Sequence, residues 1–296
     1  MRSTTLRLRD SVTLPVEAES ISPDRFAGLS QEEVAALPLL YGRRPVTVGD
    51  LFVVEGADVA DIQVGRTSES ASHLVGRASD GEEILLEGDL SHVKRIGQGM
   101  ASGRITIRGN VGMHLGAEMS GGEIVVHGNA AAWMGAHMSG GVIRVRGDVG
   151  PMAGAAYPGE KRGMRGGSIL VEGSAGPRVG ERMRRGLIAV QGDVGEFSGV
   201  RMIAGSLFVF GTLGPRAGAG MKRGTIVALG SIEGDLLPVF HYACSYQPAF
   251  LRTYLRHLRG WGLPVTSDHV EGVFRRYVGD ITTLGKGEIL VYDRRQ

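Results

Sequence analysis

Methionine recurs at positions 100, 119, 138, 164, 183, 202 and 221, and every step is 19 residues except 138 to 164, which is 26. Aligned on these methionines, the seven lines share one anatomy: M-x-x-G, a five-residue alternating segment, a second glycine, then x-x-G-x-x-x-G. One glycine precedes each segment (Gly103, Gly122, Gly141, Gly167, Gly186, Gly205, Gly224) and another follows it (Gly109, Gly128, Gly147, Gly173, Gly192, Gly211, Gly230). Self-similarity at a short fixed period marks an array of stacked units. The period also explains the 48 glycines in 296 residues, about one in six where about 7% is usual. Glycine suits positive φ and close backbone approach, so these positions read as corners.

Between corners the residues alternate. Ile105, Ile124, Ile143, Ile169, Ile188, Leu207 and Ile226 form one inward column, and Ile107, Val126, Val145, Val171, Val190, Val209 and Ala228 form the next. Arg108, His127, Arg146, Glu172 and Gln191 are predicted to point outward. A 19-residue coil has a perimeter of about 60 Å, which suits three short sides around a narrow apolar core. The expected fold is all-β: a right-handed parallel β-solenoid (β-helix) of 19-residue rungs about 4.8 Å apart, with short α-helical caps. The seven extra residues, Tyr157 to Gly163, read as a loop insertion. GDLFVVEG (49–56) and GEEILLEG (81–88) read as two degenerate leading rungs, each with a further glycine nine residues later, Gly65 and Gly97.

The flanks are expected to cap the array. Ser30-Gln31-Glu32-Glu33 has capping-box spacing, and Ser22-Pro23 marks another helix start. Tyr246 to Arg259 is amphipathic, with Phe250, Leu251, Tyr254, Leu255 and Leu258 on one face. Phe208, Phe210, Val227 and Leu229 offer that face a seat on the last rungs. The expected division is 1–48 as lead-in and cap, 49–234 as β-helix with regular rungs from about 100, and 235–296 as helix and tail.

Several chemistries are excluded by what the chain lacks. Its one cysteine, Cys244, rules out a disulfide framework and is expected to be a buried structural thiol. The histidines at 73, 92, 114, 127, 137, 241, 257 and 269 show no zinc-binding spacing and read as surface or stacking residues. No GxxxxGK[ST] loop or GxSxG elbow is present. Nineteen is not a multiple of six, against hexapeptide acyltransferases, and no outward threonine column or paired carboxylates serve ice binding or polysaccharide cleavage. Lys plus Arg number 33 against 31 Asp plus Glu, so bulk charge does not argue for nucleic acid. No apolar run approaches the ~18 residues of a membrane span. The N-terminal segment lacks a secretory h-region, and a cytoplasmic location is expected. One patch stands out. Arg162, Arg165, Arg184, Arg185, Lys222 and Arg223, with Arg182 and Arg201, make the later turns basic. They form either a solvated or partner-facing edge or a dock for an anionic partner or carrier.

The lines are similar to the Gly-rich β-helix at the C-terminal end of the glutamate synthase large subunit. They resemble more closely the C subunit of formylmethanofuran dehydrogenase and its bacterial counterpart in the formyltransferase/hydrolase complex. The resemblance is carried by GDLFVVEG, EGDLSHVKRIGQGMASGRITIRGNVG, GAAYPGEKRGMRGGSILVEG, GERMRRGLIAVQGDVG and MIAG, and runs from about Gly49 onward. The insertion at 157–163 is its more specific marker, and the tail FRRYVGDITTLGKGEILVYD looks more like the bacterial branch. The resemblance implies a non-catalytic scaffold, with no catalytic, cofactor-binding or metal residue of its own. It implies partner subunits A, B and D, with the metal on other subunits. The implied pathway passes a one-carbon unit between tetrahydromethanopterin and a methanofuran-type carrier, releasing formate in the bacterial branch. Two alternatives stay open: the C subunit of a molybdenum or tungsten formylmethanofuran dehydrogenase, and a stand-alone catalytic or ligand-binding β-solenoid.

Overall fold

The computed structural model describes residues 2–58 and 81–293. The chain opens with β1 (Arg2–Leu8) and β2 (Val16–Glu17), the one-turn helices α1 (Pro23–Phe26) and α2 (Gln31–Ala35), then β3 (Pro38–Tyr41), β4 (Arg44–Thr47), α3 (Val48–Leu51) and β5 (Phe52–Asp58). From residue 81 come β6 (Glu83–Glu87) and β7 (Val93–Lys94). Each 19-residue line then gives one strand: β8 (Arg104–Arg108), β9 (Glu123–Val126), β10 (Val142–Val145), β11 (Ser168–Val171), β12 (Leu187–Val190), β13 (Ser206–Val209) and β14 (Arg223–Ala228). The remainder is β15 (His241–Tyr246), α4 (Ala249–Gly260), α5 (Ser267–Glu271), β16 (Phe274–Gly279) and β17 (Lys286–Tyr292). The protein is mostly β, with few helices. Its large mixed sheet has the order β15-β16-β17-β14-β13-β12-β11-β10-β9-β8-β6-β1-β5, and a smaller sheet has the order β4-β3-β2-β7.

The repeat sets the register. Ile105 pairs with Ile124, Ile124 with Ile143, Ile169 with Ile188 and Leu207 with Ile226, all in parallel. Ile143 pairs with Ile169 across the 26-residue step, so the insertion is extruded without disturbing the ladder. A second parallel line of bridges runs Leu90, Val111, Ala130, Val149, Ala175, Val194, Leu213, Ile232. Both inward strand columns are buried, and the seven repeat methionines are fully enclosed beside them. Burying each such side chain contributes about 1.5–3 kcal/mol, so the apolar stack is the main favourable term. Gly135 shows why the corner residue is small: its φ is +62°, and a Cβ there would lie 2.7 Å from Ile169 Cδ1.

One ladder was not foreseen. From Asn110 to Asp193, the polar residue after the closing glycine accepts a backbone N–H from the next repeat. Asn129 N–H donates to Asn110 Oδ1 (3.0 Å), Asp148 N–H to Asn129 Oδ1 (2.8 Å), Ser174 N–H to Asp148 Oδ1 (2.8 Å) and Thr212 N–H to Asp193 Oδ1 (2.6 Å). These bonds satisfy corner amides that the strand ladder cannot reach.

The flanks depart from expectation in four places. GDLFVVEG does not form a leading parallel rung: β5 runs antiparallel to β1, and β1 is the strand that pairs in parallel with β6. The extended N-terminal strand, with Leu6 buried, outcompetes it for that edge. Gly65 lies outside the described residues. GEEILLEG behaves as foreseen, with Ile84 opposite Ile105 and Leu86 opposite Ile107. At the other end GEILVY supplies an unforeseen parallel strand, Ile289 facing Ile226. The amphipathic helix begins at Ala249, because Tyr246 closes β15 and Pro248 takes the N-cap position. Leu251, Leu255 and Leu258 bury against Phe208, Val227 and Leu229, whereas Phe250 and Tyr254 lie at the margin of that stripe, 45% and 40% exposed. Cys244 is exposed, not buried, because β15 is an edge strand paired only with β16. The Ser30 capping box forms in both directions, Ser30 Oγ accepting from Glu33 N–H and Glu33 from Ser30 N–H, and α1 starts at Pro23.

Candidate functional site

The turn leading into each repeat methionine except Met164 has left-handed backbone at alternate residues. Three columns of left-handed residues result. The first holds Arg95, His114, Trp133, Met152, Arg178, Phe197 and Arg216, with φ between 57° and 66°. The second is all glycine from Gly97 to Gly218, and the third reads Gly99, Glu118, His137, Arg182, Arg201, Gly220. A non-glycine residue in this region costs roughly 1–2 kcal/mol, so glycine would be the easier choice in every column. Stacking in register brings the side chains of a column together: His114 lies 5.6 Å from Trp133 at 14°, and the Arg216 guanidinium lies 5.2 Å from the Phe197 ring.

The inserted loop is seated on these columns by its first residue. The Tyr157 ring stacks on His137 (5.0 Å, 24°) and leans on His114 and Trp133 at 5.4 and 6.2 Å. Its hydroxyl is 2.8 Å from His114 Nδ1, and its backbone N–H donates to His137 Nε2 at 3.1 Å. That last bond requires an unprotonated Nε2. Burial lowers the pKa of His114 and of His137, with Arg95 and Lys94 assisting at His114 and Arg165 at His137, against Glu17 and against Glu160 and Glu118. Burial also raises the Tyr157 phenol, so it stays protonated. Trp133 Nε1 is buried and has no hydrogen-bond partner among the described residues. Two imidazoles, an indole and a phenol in this arrangement make an aromatic seat for the loop.

The rest of the loop lines one cleft and, through Lys161, borders a second. The first, about 350 Å³, is lined by His137, Gly159, Glu160, Lys161, Arg162 and Arg165. The second, about 280 Å³, is lined by Lys161, Arg182, Arg201, Ile203, Gly220, Lys222 and Thr283. Arg182 Nη1 donates to the Glu160 carbonyl at 2.9 Å, fixing the loop from below. The far wall is held by Asp280, which accepts from Gly220 N–H (2.9 Å) and Thr282 N–H (2.7 Å), while Thr283 Oγ1 donates to Met221 O at 2.7 Å. Burial would raise the Asp280 carboxyl, but the hydrogen bonds from Thr282 and Gly220 outweigh it and hold the pKa below the usual range.

The six cations singled out in the sequence do not form one row. Arg162 and Arg165 line the first cleft and Lys222 the second, whereas Arg184, Arg185 and Arg223 line neither. Arg184 is half-buried and the other five are exposed. Lys161 joins the two clefts and was overlooked, as was the whole Tyr157 seat. The signal was available: the first column is found by stepping from Trp133 by 19 residues, and by 26 across the insertion, and the third by reading the residue before each methionine except Met164. Among the described residues no group of three or more His, Cys, Asp or Glu side chains could hold a metal ion. No described helix is long and apolar enough to cross a membrane.

Comparison with known proteins gives two kinds of match. The C subunit of the tungsten-containing formylmethanofuran dehydrogenase 2 of Methanothermobacter marburgensis is 38% identical over 109 residues, 37% of this chain and 34% of the relative. The C subunit of the molybdenum-containing formylmethanofuran dehydrogenase 1 of Methanosarcina barkeri is 35% identical over 107 residues, 36% of this chain and 30% of the relative. The chain thus spans about a third of the length of the curated relatives it matches. A crystal structure of the formyltransferase/hydrolase complex from Methylorubrum extorquens, with methylofuran, contains a chain that superposes with a TM-score of 0.84 at 35% identity. That match covers 98% of this chain and 100% of the other, so the resemblance reaches well before Gly49. No protein-family model matches. On the full-length likeness, the chain belongs to the family of C subunits found in formylmethanofuran dehydrogenases and formyltransferase/hydrolase complexes.

Proposed function

We propose that this chain is the non-catalytic scaffold of a formyltransferase/hydrolase complex. In this reading its parallel stack from β6 to β14 is a right-handed β-solenoid built on 19-residue rungs, with the N-terminal strands at one end and the segment 235–296 at the other. The A, B and D subunits assemble on it in the cytoplasm and carry the metal and the reaction. That reaction moves a formyl group between tetrahydromethanopterin and a methanofuran-type carrier and releases formate. The observation that carries the reading is the end-to-end match to a chain of the hydrolase complex, against a one-third match to the dehydrogenase subunits. The cations Arg162, Arg165, Arg184, Arg185, Lys222 and Arg223 are assigned to a partner or anionic-carrier interface, since none has a carboxylate within 4 Å among the described residues. The test is co-expression with candidate A, B and D subunits. The chain is expected to co-purify with them, to be inactive alone, and to be required for their assembly. Formyl transfer or hydrolysis by the isolated chain, or a complete active complex without it, would overturn the proposal.

A further inference from the structure

The third left-handed column contains a choice that the fold does not require. At Gly99 and Gly220 the position is filled by the residue that suits it, yet two successive repeats place Arg182 and Arg201 there, each at φ +54°. Arginine in this region carries a backbone cost that glycine does not. The two guanidinium groups belong to adjacent repeats about 4.8 Å apart. Like charges on adjacent repeats repel. Arg182 approaches only Glu181, at 3.8 Å, and that carboxylate is already bound by Arg178 at 2.8 Å. Arg201 has no ion pair among the described residues. Lys161 and Lys222 complete the second cleft without neutralising it. Residues held in costly backbone geometry with unbalanced charge are expected where the side chain serves a ligand.

We propose that the two clefts joined at Lys161 form one trough that binds an extended acidic peptide segment of a partner protein, with Arg182 and Arg201 as its central forks. A planar guanidinium matches a carboxylate in bidentate fashion, which a lysine cannot do. Ile203 on the floor suits the aliphatic part of a peptide side chain. Glu160 interrupts the row in the first cleft, which disfavours a uniform polyanion such as nucleic acid and suits a segment of spaced acids. The walls are fixed beforehand by the Arg182–Glu160 bond and by the Asp280 and Thr283 bonds, so little ordering remains for binding. The inference rests on the assembly reading only for where such a segment comes from.

The isolated full chain tests it by fluorescence anisotropy with a labelled peptide of alternating Glu and Gly, and its Gln-Gly counterpart. The acidic peptide is expected to bind roughly tenfold or more tightly than the neutral one, with affinity falling steeply as salt rises. Arg201→Gly is expected to lose at least about tenfold in affinity while its Tm stays level or rises, because glycine accepts that φ. Lys222→Gln provides the same reading without touching the left-handed position. Equal binding of both peptides, or full acidic-peptide affinity in both variants, would overturn the proposal. Displacement of the peptide by about 1 mM inorganic phosphate would also do so, moving the site to small anions. None of these results bears on whether the chain co-purifies with other subunits, so the two proposals fail separately.

Discussion

Repeats β8–β10 and repeats β11–β14 have the same interior and different exteriors. The inward columns are buried in both. On the opposite face, the middle strand positions of the first group are Thr106, Val125 and Arg144, with Thr106 and Arg144 half-buried. In the second group they are Leu170, Ala189, Phe208 and Val227, all buried beneath α4 and the segments around it. The interior repeats because each level of the stack meets the same neighbours above and below. The exterior meets something different at each level, so its residues are set individually.

The largest expected effect falls on what the two groups share. Ile143→Asp places an unpaired charge in the inward column, where it costs several kcal/mol even after relaxation. The variant is expected to be insoluble or unfolded by circular dichroism, and a soluble chain of normal Tm would show that the column is not a continuous core. Next comes the covered exterior alone. Leu255→Ala is expected to lose about 2–5 kcal/mol in chemical denaturation, whereas Thr106→Ala on the open exterior stays within about 0.5 kcal/mol. Similar losses at the two sites would erase the contrast.

A smaller effect belongs to the loop seat. Both His114 and His137 have folded pKa values below the unfolded value, so the unfolded chain binds more protons as pH falls through about 6.5. Stability is therefore expected to be complete above that pH and to decline below it, until the folded pKa values are reached. Thermal melts across this range should show a shallower decline in a His114→Gln, His137→Gln variant. An unchanged slope would remove the seat as its cause. The smallest effect on the fold is expected from Arg185→Glu, within about 0.5 kcal/mol, because exposed turn charges contribute little. Association with the other subunits should nevertheless weaken in a salt-dependent manner, and unchanged co-purification at low salt would return this arginine to the role of a solvated edge.

The interior was legible because a period of 19 forces every inward residue into a column, and Ile105 to Ile226 fell where the alternation placed them. Strand GEILVY escaped notice because it lies outside the 19-residue count, although Ile289 and Val291 alternate as the columns do. Phe250 lies at the edge of the helix face and is largely outside the seat, whereas the half-exposed Tyr254 still packs its ring on Phe208 at 5.7 Å. Cys244 was judged by residue type, and the edge position of β15 could not be read from its own sequence. The basic turns were visible as residues, but their sorting into two clefts depends on Tyr157 reaching back 43 residues to His114.

The loop at 157–163 has one more consequence. A stack of near-identical levels maps onto itself when shifted by one level, so a partner gripping only the repeating features could settle about 4.8 Å too high or too low. The insertion occurs once, and it leaves the strand ladder on either side unshifted. It therefore marks an origin on an otherwise graduated rod. Any surface shaped to receive Tyr157 to Gly163 can sit at one level only, so the position of a partner along β8–β14 is fixed by the break in their 19-residue period.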